Sequence, residues 1–139
     1  MEQPFILMLE CDEDDRYITQ TSFKENDLAV DLLFKNNSID FFSYLDTCRQ
    51  KGSAYPSMIL LDMNAVPLNA VEILKELKTS ADFNHIPVVV LSENAKPGIV
   101  KECYTLGASS FITKPDSHAM TDKKIFHFLK YWFETVELV

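Results

Sequence analysis

Five short apolar segments recur along the chain, and each is bounded by polar or turn-forming residues. Short runs of this kind are typical of strands that are buried on both faces of a sheet. The intervals between them are long enough to hold a helix. The pattern predicts five strands at Phe5–Leu9, Ala29–Phe34, Met58–Leu61, Ile86–Leu91 and Ser110–Thr113.

Amphipathic segments lie between the first four strands, and their apolar residues recur at helical spacing. The first predicted helix covers residues 14–25, and Asn37 or Ser38 is suited to cap the second. The apolar positions of the first three helices are Tyr17, Ile18 and Phe23; Ile39, Phe42 and Leu45; and Val71, Ile73, Leu74 and Leu77.

The last two helices have clearer boundaries. Pro97 suits the first turn of the fourth helix, and Gly107 suits its end. Asp116 or Ser117 is predicted to cap the fifth helix. A single apolar stripe runs along this helix at Ile125, Phe128, Leu129, Trp132, Phe133 and Val136.

Five strands that alternate with helices predict an α/β fold, in which a doubly wound parallel sheet has right-handed crossovers and helices on both faces. The second strand is followed by Lys35-Asn36-Asn37, which suits a strand at the edge of the sheet, away from the site. Ligands of such sheets bind at the carboxyl ends of the strands. The polar residues that follow each strand are therefore the candidate site residues.

The composition narrows the class of protein. The chain has 139 residues, enough for one domain, and its formal net charge is -8. That charge argues against direct nucleic-acid contact and against binding to an anionic membrane surface. No signal peptide or membrane-spanning run is visible, so a cytoplasmic protein is expected. Cys48 and Cys103 are predicted to be small apolar residues in a reducing compartment, because no zinc-binding or disulfide spacing is present.

Acids, a hydroxyl and a lysine follow four of the predicted strands. Glu10 begins an acidic run after the first strand, Asp62 follows the third, Ser92 the fourth and Lys114 the fifth. Clustered carboxylates repel one another unless a cation lies among them, and Mg²⁺ prefers such oxygen ligands. A carboxylate beside a cation can attack phosphorus and form an acyl phosphate, with Lys114 and Ser92 contacting the phosphoryl oxygens.

Each of these residues also has a purely structural interpretation. An Asp after a strand is usually a turn former or a helix cap, and a Lys before Pro is usually a solvated loop residue. The acids at 12–15 could simply favour the beginning of the first helix. The agreement among four strand ends is what favours a functional site.

Four stretches carry a resemblance to a known family. They are Phe5–Asp15, Met58–Asn64, Ile86–Ser92 and Leu106–Pro115, and the last is the most specific. Over essentially its whole length the chain resembles the receiver domain of two-component response regulators, in particular a chemotaxis-type, single-domain member. The resemblance implies a flavodoxin-like (β/α)5 sheet with strand order 2-1-3-4-5.

The resemblance also implies the roles of the site residues. Asp62 would be the phosphoacceptor, charged from a histidine kinase or a phosphotransfer protein, while Ser92 and Lys114 would contact the phosphoryl group. Phe111 would be the aromatic residue whose rotamer follows Ser92 in the family's switch. The Mg²⁺ ligands would be Glu10, Asp62 and the backbone carbonyl of Asn64. The Lys114–Pro115 bond is a candidate cis peptide.

Two departures from the family pattern stand out. The family normally has a second acid after the first strand, where this chain has Cys11, and a thiol is a poor ligand for Mg²⁺. Asp12 or Asp14 would have to substitute for it, which makes Mg²⁺ binding doubtful. The loop after Asp62 differs too, because Pro67 comes one place later than usual and Asn69-Ala70 replaces Asp-Gly.

Three functions remain open at this point. The first is a phosphorylatable receiver. The second is a degenerate receiver that acts as a phosphorylation-independent protein-binding module. The third is a phosphatase with an aspartyl nucleophile, suggested by Asp12-Glu13-Asp14, although that class requires a longer chain. A conventional enzyme is not expected.

The sequence predicts a single receiver domain over residues 1–139 with no output domain, so that the output must be an unknown partner protein. In the family the docking surface usually comprises the fourth helix, fifth strand and fifth helix, here Pro97–Leu106, Ser110–Thr113 and Ser117–Val136. Tyr131 lies off the apolar stripe of the last helix and is a candidate contact residue. Such a surface could also support a homodimer.

Overall fold

The computed structural model describes residues 4–25, 30–114 and 118–134. Within these ranges five parallel strands form one sheet in the order β2-β1-β3-β4-β5, as predicted. The elements in chain order are β1 (Phe5–Leu9), α1 (Glu13–Glu25), β2 (Asp31–Lys35), α2 (Ser38–Lys51), β3 (Met58–Asp62), α3 (Ala70–Thr79), β4 (Val88–Ser92), α4 (Pro97–Thr105), β5 (Ser110–Thr113) and α5 (His118–Glu134).

The strands lie close to their predicted positions. The bounds of β1 and β5 are those expected from the sequence, and β3 extends one residue further to include Asp62. β4 begins two residues later than predicted, because the Ile86 N–H donates to Phe83 O in a turn and Val88 is the first residue of β4 in register with β3. β2 is shifted towards its carboxyl end and finishes at Lys35.

The sheet carries an apolar layer on each face. One layer includes Phe41 and Leu45 from α2 with Ile73, Leu74 and Leu77 from α3. The other layer contains Leu129 from α5 and is extended by partly buried aromatic residues of α1 and α5. Each helix therefore buries one face against the sheet, which is the arrangement expected of a doubly wound fold.

The face that α2 buries differs from the predicted one. Asn37 caps the helix by accepting a hydrogen bond from the Asp40 N–H, which confirms one of the two predicted caps. The predicted apolar position Ile39 is 67% exposed. The buried residues recur at three- and four-residue intervals, whereas a strict spacing of three drifts around the helix. They are Ser38, Phe41, Leu45 and Cys48.

The boundaries of α3 and α4 depend on local contacts. Asn69 caps α3 through a reciprocal pair of hydrogen bonds with Glu72. Pro97 lies in the first turn of α4, as predicted, and that helix ends at Thr105, two residues before Gly107. Gly107 has a φ of 108°, and a Cβ there would lie 3.0 Å from the Cγ of Lys78. Glycine is therefore required for both its backbone conformation and its close approach to α3.

The apolar stripe predicted for α5 packs on the sheet where it is described. Leu129 is fully buried, and Phe128, Trp132 and Phe133 pack against the same apolar layer. Tyr131 is 58% exposed. The predicted caps Asp116 and Ser117, the Lys114–Pro115 bond, the Ile125 side chain and Val136 lie outside the described residues.

Cys48 and Cys103 are buried, as expected of small apolar residues, and Cys11 is half-buried; all three are free thiols. In the portion of the chain covered by the structure, no helix has both the length and the apolar character needed to cross a membrane.

Candidate functional site

The carboxyl ends of four strands meet at one edge of the sheet. Leu9 lies opposite Leu61 in the β1–β3 pair, and Asp62 lies opposite Leu91 in the β3–β4 pair. Ser92 lies opposite Thr113 in the β4–β5 pair. The predicted site residues that end or follow these strands are therefore neighbours at one edge, as the topology implied.

The ammonium group of Lys114 is the centre of the site. Its Nζ lies 3.1 Å from Glu10 Oε2, 3.2 Å from Asp15 Oδ2 and 3.9 Å from Asp62 Oδ1. The Lys114 side chain is largely buried. One cation thus lies among three carboxylates that come from β3, α1 and the residue after β1.

Asp15 is a site residue that the sequence did not single out. It belonged to the acidic run at 12–15, which supplied no reason to prefer one acid over another. The orientation of the first turn of α1 selects Asp15 among these acids, because it brings the Asp15 side chain to Lys114. The sequence of α1, which begins at Glu13, predicts one exposed and one buried side. It does not predict which side contacts Lys114, which lies 99 positions after Asp15.

Glu10 is fully buried, and this environment changes its acidity. Burial raises the pKa of the Glu10 carboxyl from 4.5 to about 7, and the charge of Asp62 adds to the rise. The ion pair with Lys114 and a hydrogen bond donated by the Asp12 N–H oppose it. Desolvation therefore outweighs the ion pair at this group.

At Lys114 the attraction of neighbouring carboxylates outweighs desolvation. Burial alone would lower the pKa of its ammonium group, but the carboxylates of Glu10, Asp62 and Asp15 together raise it above its usual value. The difference arises because Lys114 has three acidic neighbours, whereas Glu10 has one cation and a like charge nearby. The lysine consequently keeps its charge at neutral pH.

Asp62 stands at the end of β3 and is 9% exposed. Its Oδ1 accepts a hydrogen bond of 3.3 Å from the Asn64 N–H, and its backbone carbonyl accepts one of 3.1 Å from the Ala65 N–H. These bonds turn the chain sharply after the strand, so that the carboxylate is held at the sheet edge beside Lys114.

Ser92 and Phe111 lie on the neighbouring strands β4 and β5. Ser92 is nearly buried, and its Oγ accepts a hydrogen bond of 3.3 Å from the Asn94 N–H. The backbone N–H of Phe111 donates to the Tyr104 hydroxyl at 3.0 Å. This tyrosine from α4 was not singled out in the sequence, since no motif indicates a side chain that bonds to a strand edge.

Only some of the predicted metal ligands suit a divalent ion. Glu10 and Asp62 offer carboxylates and Asn64 a carbonyl, which suits Mg²⁺ because that ion is usually held by one or two carboxylates and keeps several waters. Cys11 offers only a thiol, and the Asp12 carboxylate accepts a hydrogen bond from the Asp15 N–H. Among the described residues no group of three Asp, Glu, His or Cys side chains is placed so that it could hold a metal ion. The set therefore suits a weakly held ion.

Comparison with known proteins identifies the family. The family described as the response regulator receiver domain matches residues 6–125. The chain is 28% identical over 134 residues to response regulator Rcp1 of Synechocystis sp., and the match covers 96% of this chain and 91% of Rcp1.

Solved structures agree in fold. The crystal structure of the Mn²⁺-bound form of Rcp1 has a TM-score of 0.88 and 27% identity, covering 98% of this chain and 99% of that one. The phosphorylated cyanobacterial phytochrome response regulator RcpA has a TM-score of 0.89 at 22% identity, with 99% of each chain covered. With the family match across most of its length, this chain belongs to the response regulator receiver domains and is a protein of two-component signalling.

Proposed function

We propose that Asp62 accepts a phosphoryl group from the phosphohistidine of a histidine kinase or a phosphotransfer protein, and that the modification alters the binding of a partner. The observation that supports this most directly is the position of Lys114. Its ammonium group lies 3.9 Å from the Asp62 carboxylate, at the edge of the sheet where four strands end. A phosphoryl group on Asp62 would thus form next to a buried positive charge.

The proposed transfer is an in-line displacement at phosphorus. An oxygen of Asp62 forms the new P–O bond while the P–N bond to the donor imidazole breaks, and the imidazole leaves with a proton from solvent. Lys114 contacts the phosphoryl oxygens, where negative charge accumulates. The Ser92 hydroxyl already accepts from Asn94, so its own proton can be donated to the same oxygens.

Glu10, Asp62 and the Asn64 carbonyl are the residues that would hold a divalent ion here, with Asp12 as a candidate substitute for the acid that Cys11 replaces. Such an ion, when bound, supplies positive charge that offsets repulsion between the carboxylates and the phosphoryl group. Cys11 does not contribute an oxygen ligand, and Lys114 already neutralises part of the acidic charge. We therefore expect Mg²⁺ to bind weakly.

The response of the fold would pass through Ser92 and Phe111. A phosphoryl group that attracts the Ser92 hydroxyl would displace the end of β4, which is paired with β5. Phe111 lies in β5, is half-buried against the apolar layer and is bonded through its N–H to Tyr104 of α4. A change of the Phe111 rotamer would therefore be transmitted to α4.

Phosphorylation is testable with a small phosphodonor. Incubation of the protein with acetyl phosphate and Mg²⁺ should add the mass of one phosphoryl group, and hydroxylamine should remove it because an acyl phosphate is labile. Asp62→Asn should show no adduct, since the nucleophilic oxygen is lost. Intact-protein mass spectrometry measures both.

A matched control for that variant is Asp82→Asn, which alters an exposed acid outside the site. This control should be modified as fully as the parent protein. An adduct that persists in Asp62→Asn would show that another residue is the acceptor, and would contradict the proposed role of Asp62.

A second candidate function is that of a phosphorylation-independent binding module. The observation in its favour is that Lys114 contacts Glu10 and Asp15 directly, so that part of the acidic charge of the site is neutralised in its resting state. The absence of any adduct over a wide range of Mg²⁺ concentrations would support this candidate over the first.

The role of Cys11 is testable by calorimetry. Cys11→Asp restores an oxygen ligand at the position where the family has an acid, and we expect Mg²⁺ affinity to rise about tenfold, which corresponds to about 1.4 kcal/mol. Cys11→Ser serves as the control, because it removes the thiol without adding a charge. Equal affinity in Cys11→Asp and the parent would contradict the placement of this residue at the metal site.

We further propose that residues 1–139 form a single receiver domain that binds a separate protein. The match to Rcp1 supports this, because it covers 91% of that protein. Tyr131, which is exposed on α5, is a candidate contact residue of the docking surface formed by α4, β5 and α5. A homodimer through the same surface stays a prediction.

A further inference from the structure

Helix α2 has a second face that is not part of the core. Its buried residues are accounted for by contacts with the core, whereas Ile39 and Asp46 lie on another side. Phe42 packs partly against the core and lines the same groove as those two residues. Ile39 is 67% exposed, and Val66 in the loop between β3 and α3 is 57% exposed. Apolar surface at this end of α2 is therefore in contact with solvent.

The second face of α2 forms one wall of a groove of about 570 Å³. Pro67 and Leu68, from the loop between β3 and α3, line the groove with Ile39 and Phe42. These four residues give the groove its apolar surface, and the rest of its lining is polar. A volume of this size accommodates one or two large side chains of a bound segment.

The rim of the groove is acidic. Asp46 from α2 and Glu76 from α3 line it, and no lysine or arginine is found among its described lining residues. Asp46 is bound by Arg49 at 2.9 Å on its outer side, whereas Glu76 is exposed to solvent. A ligand that combines an apolar side chain with positive charge is therefore complementary to the groove.

The wall that faces α2 is held in place by two hydrogen bonds. The N–H of Ser38 donates to Val66 O at 2.9 Å, and the buried Ser38 Oγ accepts from the Leu68 N–H at 3.0 Å. These bonds fix the loop against the beginning of α2. The groove is consequently formed before any ligand arrives, and less ordering free energy is lost on binding.

We propose that this groove binds an amphipathic segment of a partner protein, which inserts a bulky apolar side chain and places lysine or arginine against Glu76 and Asp46. A second copy of this chain is a poor occupant, because two acidic rims would face each other and each chain has a net charge of -8. The groove is formed by α2, α3 and the loop between β3 and α3, and it lies apart from the surface of α4, β5 and α5. The proposal does not depend on phosphorylation of Asp62.

The probe for the experiment is a short synthetic helical peptide of leucine and lysine, with its leucines along one face. Its affinity for the full chain is measured by fluorescence anisotropy, and its position by amide chemical shifts of the ¹⁵N-labelled protein. We expect the shifted amides to cluster in α2 and at 66–68. Glu76→Lys should weaken binding by about fivefold or more, because it reverses a charge at the rim.

Glu102→Lys is the matched control, since it changes the net charge by the same amount at an exposed position of α4. It should weaken binding by less than about twofold, because its charge lies away from the groove. Ile39→Ser tests the apolar contact and should also weaken binding about fivefold. Its control is Tyr131→Ser, and both residues are exposed, so folding should be retained.

Four results would overturn the proposal. Equal losses in Glu76→Lys and Glu102→Lys would show that the peptide responds only to overall charge. Shifts that cluster on α4 and α5 would place the binding site elsewhere. Equal binding of a peptide in which glutamate replaces every lysine would show that the acidic rim has no role. Dimerisation of the free chain that Ile39→Ser abolishes would instead identify a second copy as the occupant.

Discussion

The carboxyl of Glu10 is held in place by its contacts, yet its ionisation in the folded protein is unfavourable. Its carboxyl is fully buried, and its cation, Lys114, is shared with Asp15 and lies near Asp62. Removing a charge from water costs several kcal/mol, and a shared ion pair returns only part of that. The pKa of Glu10 is therefore raised to about 7 even though it contacts a lysine.

This raised pKa predicts a particular dependence of stability on pH. Between pH 4.5 and about 7 the folded protein keeps the proton on Glu10 while the unfolded chain releases it. The folded state then binds more protons, so the free energy of unfolding should fall as pH rises through this window, by up to about 3 kcal/mol. Urea unfolding in metal-free buffer at a series of pH values measures the slope.

Glu10→Gln removes the titrating group and should flatten that part of the curve. Glu102→Gln is the control at an exposed position and should keep the slope of the parent protein. Parallel curves for Glu10→Gln and the parent would mean that another group, and not Glu10, determines stability in this window.

At the scale of the element, α3 depends on its first residues. Asn69 accepts a hydrogen bond from the Glu72 N–H, and the Glu72 side chain accepts one from the Asn69 N–H. Asn69→Ala leaves the Glu72 N–H without its side-chain acceptor at the helix start and should lower the free energy of unfolding by about 1 kcal/mol. Asn69→Asp should retain most of the stability. Equal losses in both variants would exclude capping as the cause.

The positions of the elements were largely predictable, because strands buried on both faces leave continuous apolar runs. What the pattern could not decide was the face of α2. Phe41 and Phe42 are adjacent phenylalanines, so two apolar stripes fit the same helix, and the one through Ile39 matched a spacing of three. Contacts with α3 and the sheet select Phe41, and these lie far along the chain.

The candidate site was likewise predictable from the sequence only in part. Glu10, Asp62, Ser92 and Lys114 were predicted to meet because strand order alone brings their strands together. The contact of Asp15 with Lys114 depends on how α1 is rotated against the sheet, and sequence periodicity does not determine this angle. Their roles in phosphorylation stay a prediction until the acceptor is identified chemically.

For the molecule as a whole, the burial of the three cysteines predicts their order of reaction. Cys48 and Cys103 are buried, whereas Cys11 is half-buried at the sheet edge. Burial also raises the pKa of the Cys103 thiol above its usual value. One thiol per native chain should react readily with a thiol reagent, and the others about a thousandfold more slowly, because they require opening of the fold. Peptide mass mapping after timed labelling identifies the residue.

Cys11→Ser should remove this rapid phase without altering the slow one. The corresponding substitution Cys103→Ser should leave the rapid phase unchanged, provided that its circular dichroism spectrum matches that of the parent. Rapid labelling of Cys48 or Cys103 in the native parent protein would contradict the packing of the apolar layer beneath α2 and α4.

The hydrogen bond between Tyr104 and the Phe111 N–H has a consequence for how copies of this protein behave at high concentration. β5 pairs only with β4 among the described strands, so its outer side is the rim of the sheet. An unpaired N–H there could recruit a strand from another molecule and begin aggregation. By occupying that N–H with a hydroxyl from the adjoining helix, the chain protects its own border against intermolecular strand pairing.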